Sequence, residues 1–128
     1  MLASMRLLAL LVLQFMVLAA QATCMFARDT KPQEWYEWAT VLLAGDVATV
    51  EQRGSIDVVS LRVVEAYKGP AGAQSATLEI PRKLWAMCRI ARPIVGDRVL
   101  GALNANNDAL LVPLTGEYAE KLRRLKTK

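Results

Sequence analysis

The chain reads as a mainly β domain of about five short strands, with one short helix before them and another after. Three observations carry that reading. Turn signals recur at short intervals, at Arg53-Gly54-Ser55, Lys68-Gly69-Pro70, Val95-Gly96-Asp97-Arg98 and Asn104 to Asp108. The runs between them are rich in β-branched and aliphatic residues. Helical signals are confined to the two flanks.

The first 22 residues stand apart from this pattern. Met1 to Arg6 carry one positive charge, Leu7 to Ala20 are apolar except for Gln14, and Ala20-Gln21-Ala22 is a small-x-small sequence. That order is the pattern of a secretory signal peptide cut after Ala22. The apolar run is shorter than the roughly 20 residues a spanning helix needs. The expected organisation is therefore a signal peptide at 1–22 and one domain at 23–128, exported to the periplasm or the extracellular space. No later apolar run approaches spanning length, so no stable membrane insertion is expected after cleavage.

The elements follow in order. Lys31 to Ala39 predicts a short helix: Thr30 can cap it, Pro32 suits its first position, and Glu34 falls in its first turn. Trp35 and Trp38 share a face, with Tyr36 the most exposed of the three aromatics. Val41 to Val50 reads as a strand with a bend or bulge at Gly45-Asp46. The Arg53-Gly54-Ser55 turn then makes a hairpin with the clearest strand, Ile56 to Tyr67, of which only part alternates cleanly between apolar and polar. Ala76 to Ile80 is the next strand, and Arg82 to Pro93 reads as irregular. Val99 to Leu103 and Ala109 to Leu114 form a second hairpin. Thr115-Gly116-Glu117 opens a C-terminal helix with Leu122 and Leu125 on its apolar side. A chain of this pattern must hide its strand edges, which favours a small OB-like antiparallel barrel over a sandwich.

The order of these pieces resembles the netrin-like family, which includes the tissue inhibitors of metalloproteinases and short bacterial relatives. Ala39-Thr40-Val41-Leu42-Leu43-Ala44-Gly45-Asp46-Val47 is similar to its first strand motif. Leu61-Arg62-Val63-Val64-Glu65-Ala66-Tyr67-Lys68-Gly69 is similar to its long strand ending in an aromatic residue, Lys and Gly. Cys88 followed by Val95-Gly96-Asp97-Arg98-Val99-Leu100 matches its later cysteine, turn and strand. The resemblance spans about Cys24 to Leu114 and implies an OB-type barrel with Cys24 tied to it. Inhibitors of that family begin with Cys-x-Cys and chelate the protease zinc through the first cysteine's amine. Here Cys24-Met25-Phe26 lacks the second cysteine, and cleavage after Ala22 leaves Thr23 in front of Cys24. A metalloprotease inhibitor acting through its N-terminal cysteine segment is accordingly the alternative function.

Composition narrows the chemistry. The sequence has no histidine, which removes His-based acid–base and nucleophilic catalysis and most catalytic zinc sites. Its two cysteines, Cys24 and Cys88, most simply form one disulfide in an oxidising compartment. Closing that loop would stabilise the fold by roughly 4 kcal/mol on the chain-entropy model. The acids Asp46, Asp57, Glu65, Glu79 and Asp97 are scattered over strand ends and turns, so no carboxylate pair stands out. No enzyme activity, cofactor or metal is expected. The formal charge of +4 owes much to a basic tail, Lys121, Arg123, Arg124, Lys126 and Lys128.

The segment from Pro81 to Arg92 interleaves Arg82, Lys83, Arg89 and Arg92 with Trp85. Basic groups around an aromatic suit an anionic partner, although Trp85 and Met87 could instead plug a barrel end. Together with Tyr36, these residues are the candidate ligand-binding set. Export argues against nucleic acid. The expected function is a non-enzymatic binding or interaction module, with a protein or an anionic envelope or glycan ligand as partner.

Overall fold

A computed structural model describes residues 30–69 and 72–126. The expected signal peptide, Thr23, Cys24 and Lys128 lie outside the described residues. The elements run α1 (Pro32–Trp38), β1 (Val41–Arg53), β2 (Ile56–Lys68), β3 (Ser75–Pro81), α2 (Lys83–Met87), β4 (Arg98–Leu103), β5 (Ala109–Pro113) and α3 (Gly116–Lys126).

The fold is mainly β: five antiparallel strands lie in one sheet, in the order β3-β2-β1-β4-β5. The sheet curls until β3 and β5 touch, but no hydrogen-bonded ladder joins them among the described residues. This is the partly open form of the expected OB-like barrel. The long strand β1 sits at its centre. It pairs with β2 from Leu42 to Arg53, and with β4 from Val41 to Asp46. Register shifts at Leu42/Leu43, Ala44/Gly45 and Val47/Thr49 break its ladder with β2. Such irregularities bend and twist a strand, which lets β1 serve both halves of a curled sheet. Gly45 permits a close backbone approach: a Cβ there would stand 3.0 Å from the Arg62 carbonyl oxygen and 3.1 Å from Leu61 Cβ. The β1–β2 hairpin closes over Gly54, whose φ of +58° is costly for residues with a side chain.

Both faces of the sheet are buried over much of its length. Inside the curl lie Leu43, Val47, Val59, Leu61, Leu78, Ile80, Val99 and Leu111, with Trp85 of α2. On the outside, Leu42, Ala44, Tyr67, Leu100, Ala102 and Leu110 lie beneath Trp35 and Ala39 of the α1 region and Ala119 and Leu122 of α3. Neighbouring residues such as Leu42 and Leu43, or Val99 and Leu100, therefore serve opposite layers. That is why the strand pattern alternates only in part: a strand covered on both faces reads as a continuous apolar run.

Most strand limits fall within a residue of the sequence reading, and three differences are larger or concern a helix. Helix α1 is one residue shorter at each end, and Lys31 rather than Thr30 occupies its cap, without a side-chain cap bond. Thr30 is buried, and its carbonyl accepts the Tyr118 hydroxyl of α3. Strand β1 continues three residues past Val50, because pairing with β2 carries it to the hairpin. The segment after β3 is not wholly irregular but holds the five-residue helix α2. At the C-terminus, Thr115 Oγ1 accepts the Tyr118 amide at 3.3 Å, Glu117 lies in the first turn of α3, and Arg123, Arg124 and Lys126 lie in the last. All three placements suit the helix ends.

Candidate functional site

The site is built on Asp57, the second residue of β2. Its pairing with Ile80 of β3 places it beside the start of α2, and its carboxylate is 0% exposed. Three donors satisfy it. The Trp85 indole Nε1 donates to Oδ2 at 2.8 Å, Arg92 Nε to Oδ2 at 2.8 Å, and an Arg92 terminal nitrogen to Oδ1 at 3.0 Å. The Arg92 guanidinium holds the Asp57 carboxyl below the usual carboxylate range; burial opposes this, and the Trp85 bond adds to it. Arg92 is correspondingly held protonated more firmly than an ordinary arginine by the same bonds. One carboxylate thus fastens both α2 and the segment after it to the sheet. A two-point arginine–carboxylate pairing of this kind fixes orientation as well as distance.

Beside the clamp runs a groove of about 850 Å³. One wall is the β1–β2 hairpin, with Gln52, Ser55 and Ile56; the other is Pro81, Arg82, Lys83 and Ala86, with Arg92 at its end. The Arg82 amide donates to the Ser55 carbonyl at 2.9 Å, which fixes the start of α2 against the hairpin. Among the described residues, no acid lines the groove. Arg82 Nε is shut off from solvent and has no hydrogen-bond acceptor among the described residues. Among the described residues, Arg82 and Lys83 make no ion pair.

The structure divides the sequence-predicted ligand set among three places. Arg82, Lys83, Trp85 and Arg92 line the groove. Trp85 does so with little of its ring: it is 7% exposed, packed in the inner layer and bonded to Asp57. It therefore offers no open face for stacking. It plugs the end of the curled sheet, whereas Met87 stays half exposed. Arg89, at φ +54°, is exposed and lines a separate depression of about 330 Å³ with Trp35, Cys88 and Tyr118. Tyr36 lies elsewhere again, on α1, with the Lys68 ammonium 5.1 Å from its ring centre and 2.7 Å from its carbonyl oxygen. Cys88 is buried and is not a free thiol; Cys24, the other cysteine of the chain, lies outside the described residues.

Of the remaining candidate acids, Asp46, Glu65 and Asp97 have structural partners. Asp46 takes Arg98 and Arg62 from the two neighbouring strands, and these bonds, Arg98 first, hold its carboxyl below the ordinary range. Glu65 takes Arg123 of α3 at 2.8 Å, and Lys126 Nζ donates to the Ala66 carbonyl at 2.7 Å. The basic C-terminal helix is thus docked on β2 through part of its charge. Asp97 accepts the Ile94 amide at 3.0 Å, as its turn position implied. No group of three His, Cys, Asp or Glu residues stands close enough to hold a metal among the described residues.

Sequence reasoning missed the hairpin side of the groove, Gln52 and Ser55, and the role of Asp57. Asp57 had one visible signal: it is a charged residue inside the apolar run Ile56 to Val59. A charge in such a run is buried only when paired. No protein-family model matches the chain, and a search of curated proteins returns no match.

Proposed function

We propose that this chain is an exported, non-enzymatic binding module of the netrin-like type, its domain secured by a Cys24–Cys88 disulfide and its ligand an anionic envelope or glycan group. One observation carries the reading. The carboxylates Asp46, Asp57 and Glu65 are each taken up by arginines, while Arg82 and Lys83 stand in an acid-free groove with no ion pair among the described residues. Cations left unneutralised around a concave surface attract and orient an anionic partner. The resemblance in strand order and in the early and late cysteines supports the family assignment.

The test is a calorimetric titration of the exported protein with a heparin oligosaccharide, at low and at raised salt. Binding should weaken as salt screens the exposed charges. The double variant Arg82→Ala, Lys83→Ala should lower affinity by about tenfold or more, given the worth of hydrogen bonds to charged groups. No binding by the folded wild-type protein would overturn the reading. Intact mass before and after reduction and alkylation checks the rest: a start at Thr23, with two alkyl groups gained only on reduction, is the expected result.

A further inference from the structure

We propose that the groove between the β1–β2 hairpin and α2 is the seat of a single phosphomonoester, held by Arg82, Lys83 and the outer side of Arg92. This rests on the binding-module reading and specifies the group that is bound.

Asp57 already accepts three hydrogen bonds, from Trp85 and twice from Arg92. Arg82 is close enough to lower the Asp57 carboxyl further, yet it makes no hydrogen bond to it. Its Nε–H has no acceptor among the described residues, so the Arg82 charge is not committed to the clamp. Its side chain as a whole is only partly buried and lines the groove, so its charge faces whatever is seated there. Three cations over one buried carboxylate leave two positive charges in excess at this place. A phosphomonoester carries about −1.5 to −2 at pH 7 and offers three acceptor oxygens, so it matches both the excess charge and the number of cationic side chains. A carboxylate matches neither. Arg92 is positioned for the task in advance: its inner edge is fixed on Asp57, while the side chain remains 48% exposed. Gln52 and Ser55 on the opposite wall supply neutral hydrogen-bonding groups, and Ile56 and Pro81 supply apolar surface, which together suit a sugar carrying the phosphate.

The experiment follows the Arg82 Nε–Hε signal in ¹H–¹⁵N NMR spectra of the exported protein. Inorganic phosphate, glucose 6-phosphate and acetate are each titrated at constant ionic strength. The expected result is a saturable shift of that signal with both phosphates and none with acetate. Tighter binding of glucose 6-phosphate assigns the ligand to a sugar ester; equal or tighter binding of inorganic phosphate assigns it to the free ion. Arg82→Gln should weaken binding by about ten- to a hundredfold, and Arg82→Lys should restore only part of the loss. Lys83→Gln, at an exposed position, provides a variant whose fold is not in question and should also weaken binding. An unmoved Arg82 signal in a protein that still binds heparin would overturn the phosphate seat and leave the binding-module reading standing. Loss of both would overturn the two together.

Discussion

The two apolar layers of the molecule are closed in different ways. The inner layer is sealed by a polar device: Trp85 enters the open end of the curled sheet, and Asp57, fully buried, holds its indole N–H and the Arg92 guanidinium. The outer layer is sealed by two helices from the flanks of the sheet, through Trp35 and Leu122, and one of its polar groups is left unmet. Tyr67 is 2% exposed, and its hydroxyl has no hydrogen-bond partner among the described residues. The polar bonds that help to close the outer layer, Arg123 to Glu65 and Lys126 to the Ala66 carbonyl, lie at its exposed rim, whereas the inner layer is closed around a fully buried carboxylate paired with Arg92. The same pair that closes the inner layer also positions an arginine at the groove, so stability and binding meet there.

The largest expected effect follows from breaking the clamp. Arg92→Ala leaves the Asp57 charge buried and unpaired, and should destabilise the fold by roughly 3–5 kcal/mol in urea unfolding at pH 7. The deficit should shrink with acidity. In the wild type, the Asp57 carboxyl titrates below its ordinary range, so its contribution is present above about pH 4 and is lost as pH falls through the folded value. In the variant, burial without a cation favours protonation, and neutralising Asp57 relieves the penalty. A deficit that stays constant down to pH 3 would show that the clamp does not act through charge.

Leu122→Ala tests the outer layer. Leu122 of α3 is fully buried against the sheet, and truncation should cost about 3 kcal/mol by the same measurement. Because the sheet separates Leu122 from Arg92, the double variant should equal the sum of the singles within about 0.5 kcal/mol. Strong coupling would mean that the two layers open as one unit.

Gly45→Ala is the next smaller change. The added methyl group would crowd the Arg62 carbonyl and the Leu61 side chain in the central strand, at an expected cost of about 2 kcal/mol. A neutral result would show that β1 can relax at its bulge.

Tyr67→Phe is the smallest and has the opposite sign. Removing an unpartnered buried hydroxyl should leave stability unchanged or raise it by up to about 1 kcal/mol. It should also flatten the alkaline limb. Burial pushes Tyr67 up to about 12. The wild type therefore keeps this contribution below about pH 10 and loses it as pH rises toward the folded value. A clear loss of stability in Tyr67→Phe would reveal a partner for the hydroxyl.

Much of the fold was legible because local chemistry decides it. Glycine and polar turns at 53–55, 95–98 and 104–108 separate strands whose limits the structure moves by a few residues. Pro32 and Thr115 mark helix starts by backbone geometry and side-chain capping. Helix α2 was not legible: five residues carry too little periodicity, and its cap, Arg82, makes no side-chain cap bond. Of the candidate site, the basic residues were visible as a cluster in sequence, but their grouping was not. Arg89 and Tyr36 belong to other surfaces, and the groove draws its second wall from a hairpin about 30 residues away in the chain.

The sequence by itself determined the number and direction of the strands, the flanking helices and the supply of positive charge, because turns, caps and side-chain charge depend on near neighbours. Only the tertiary structure decided which apolar residues face inward, that Trp85 plugs the sheet rather than stacks on a ligand, and which cations remain unpaired. Those outcomes depend on pairings such as Asp57 with Arg92, 35 residues apart, and Asp46 with Arg98, 52 apart. Burial then makes such pairings obligatory, since a charge withdrawn from water must find its partner wherever the fold has brought one.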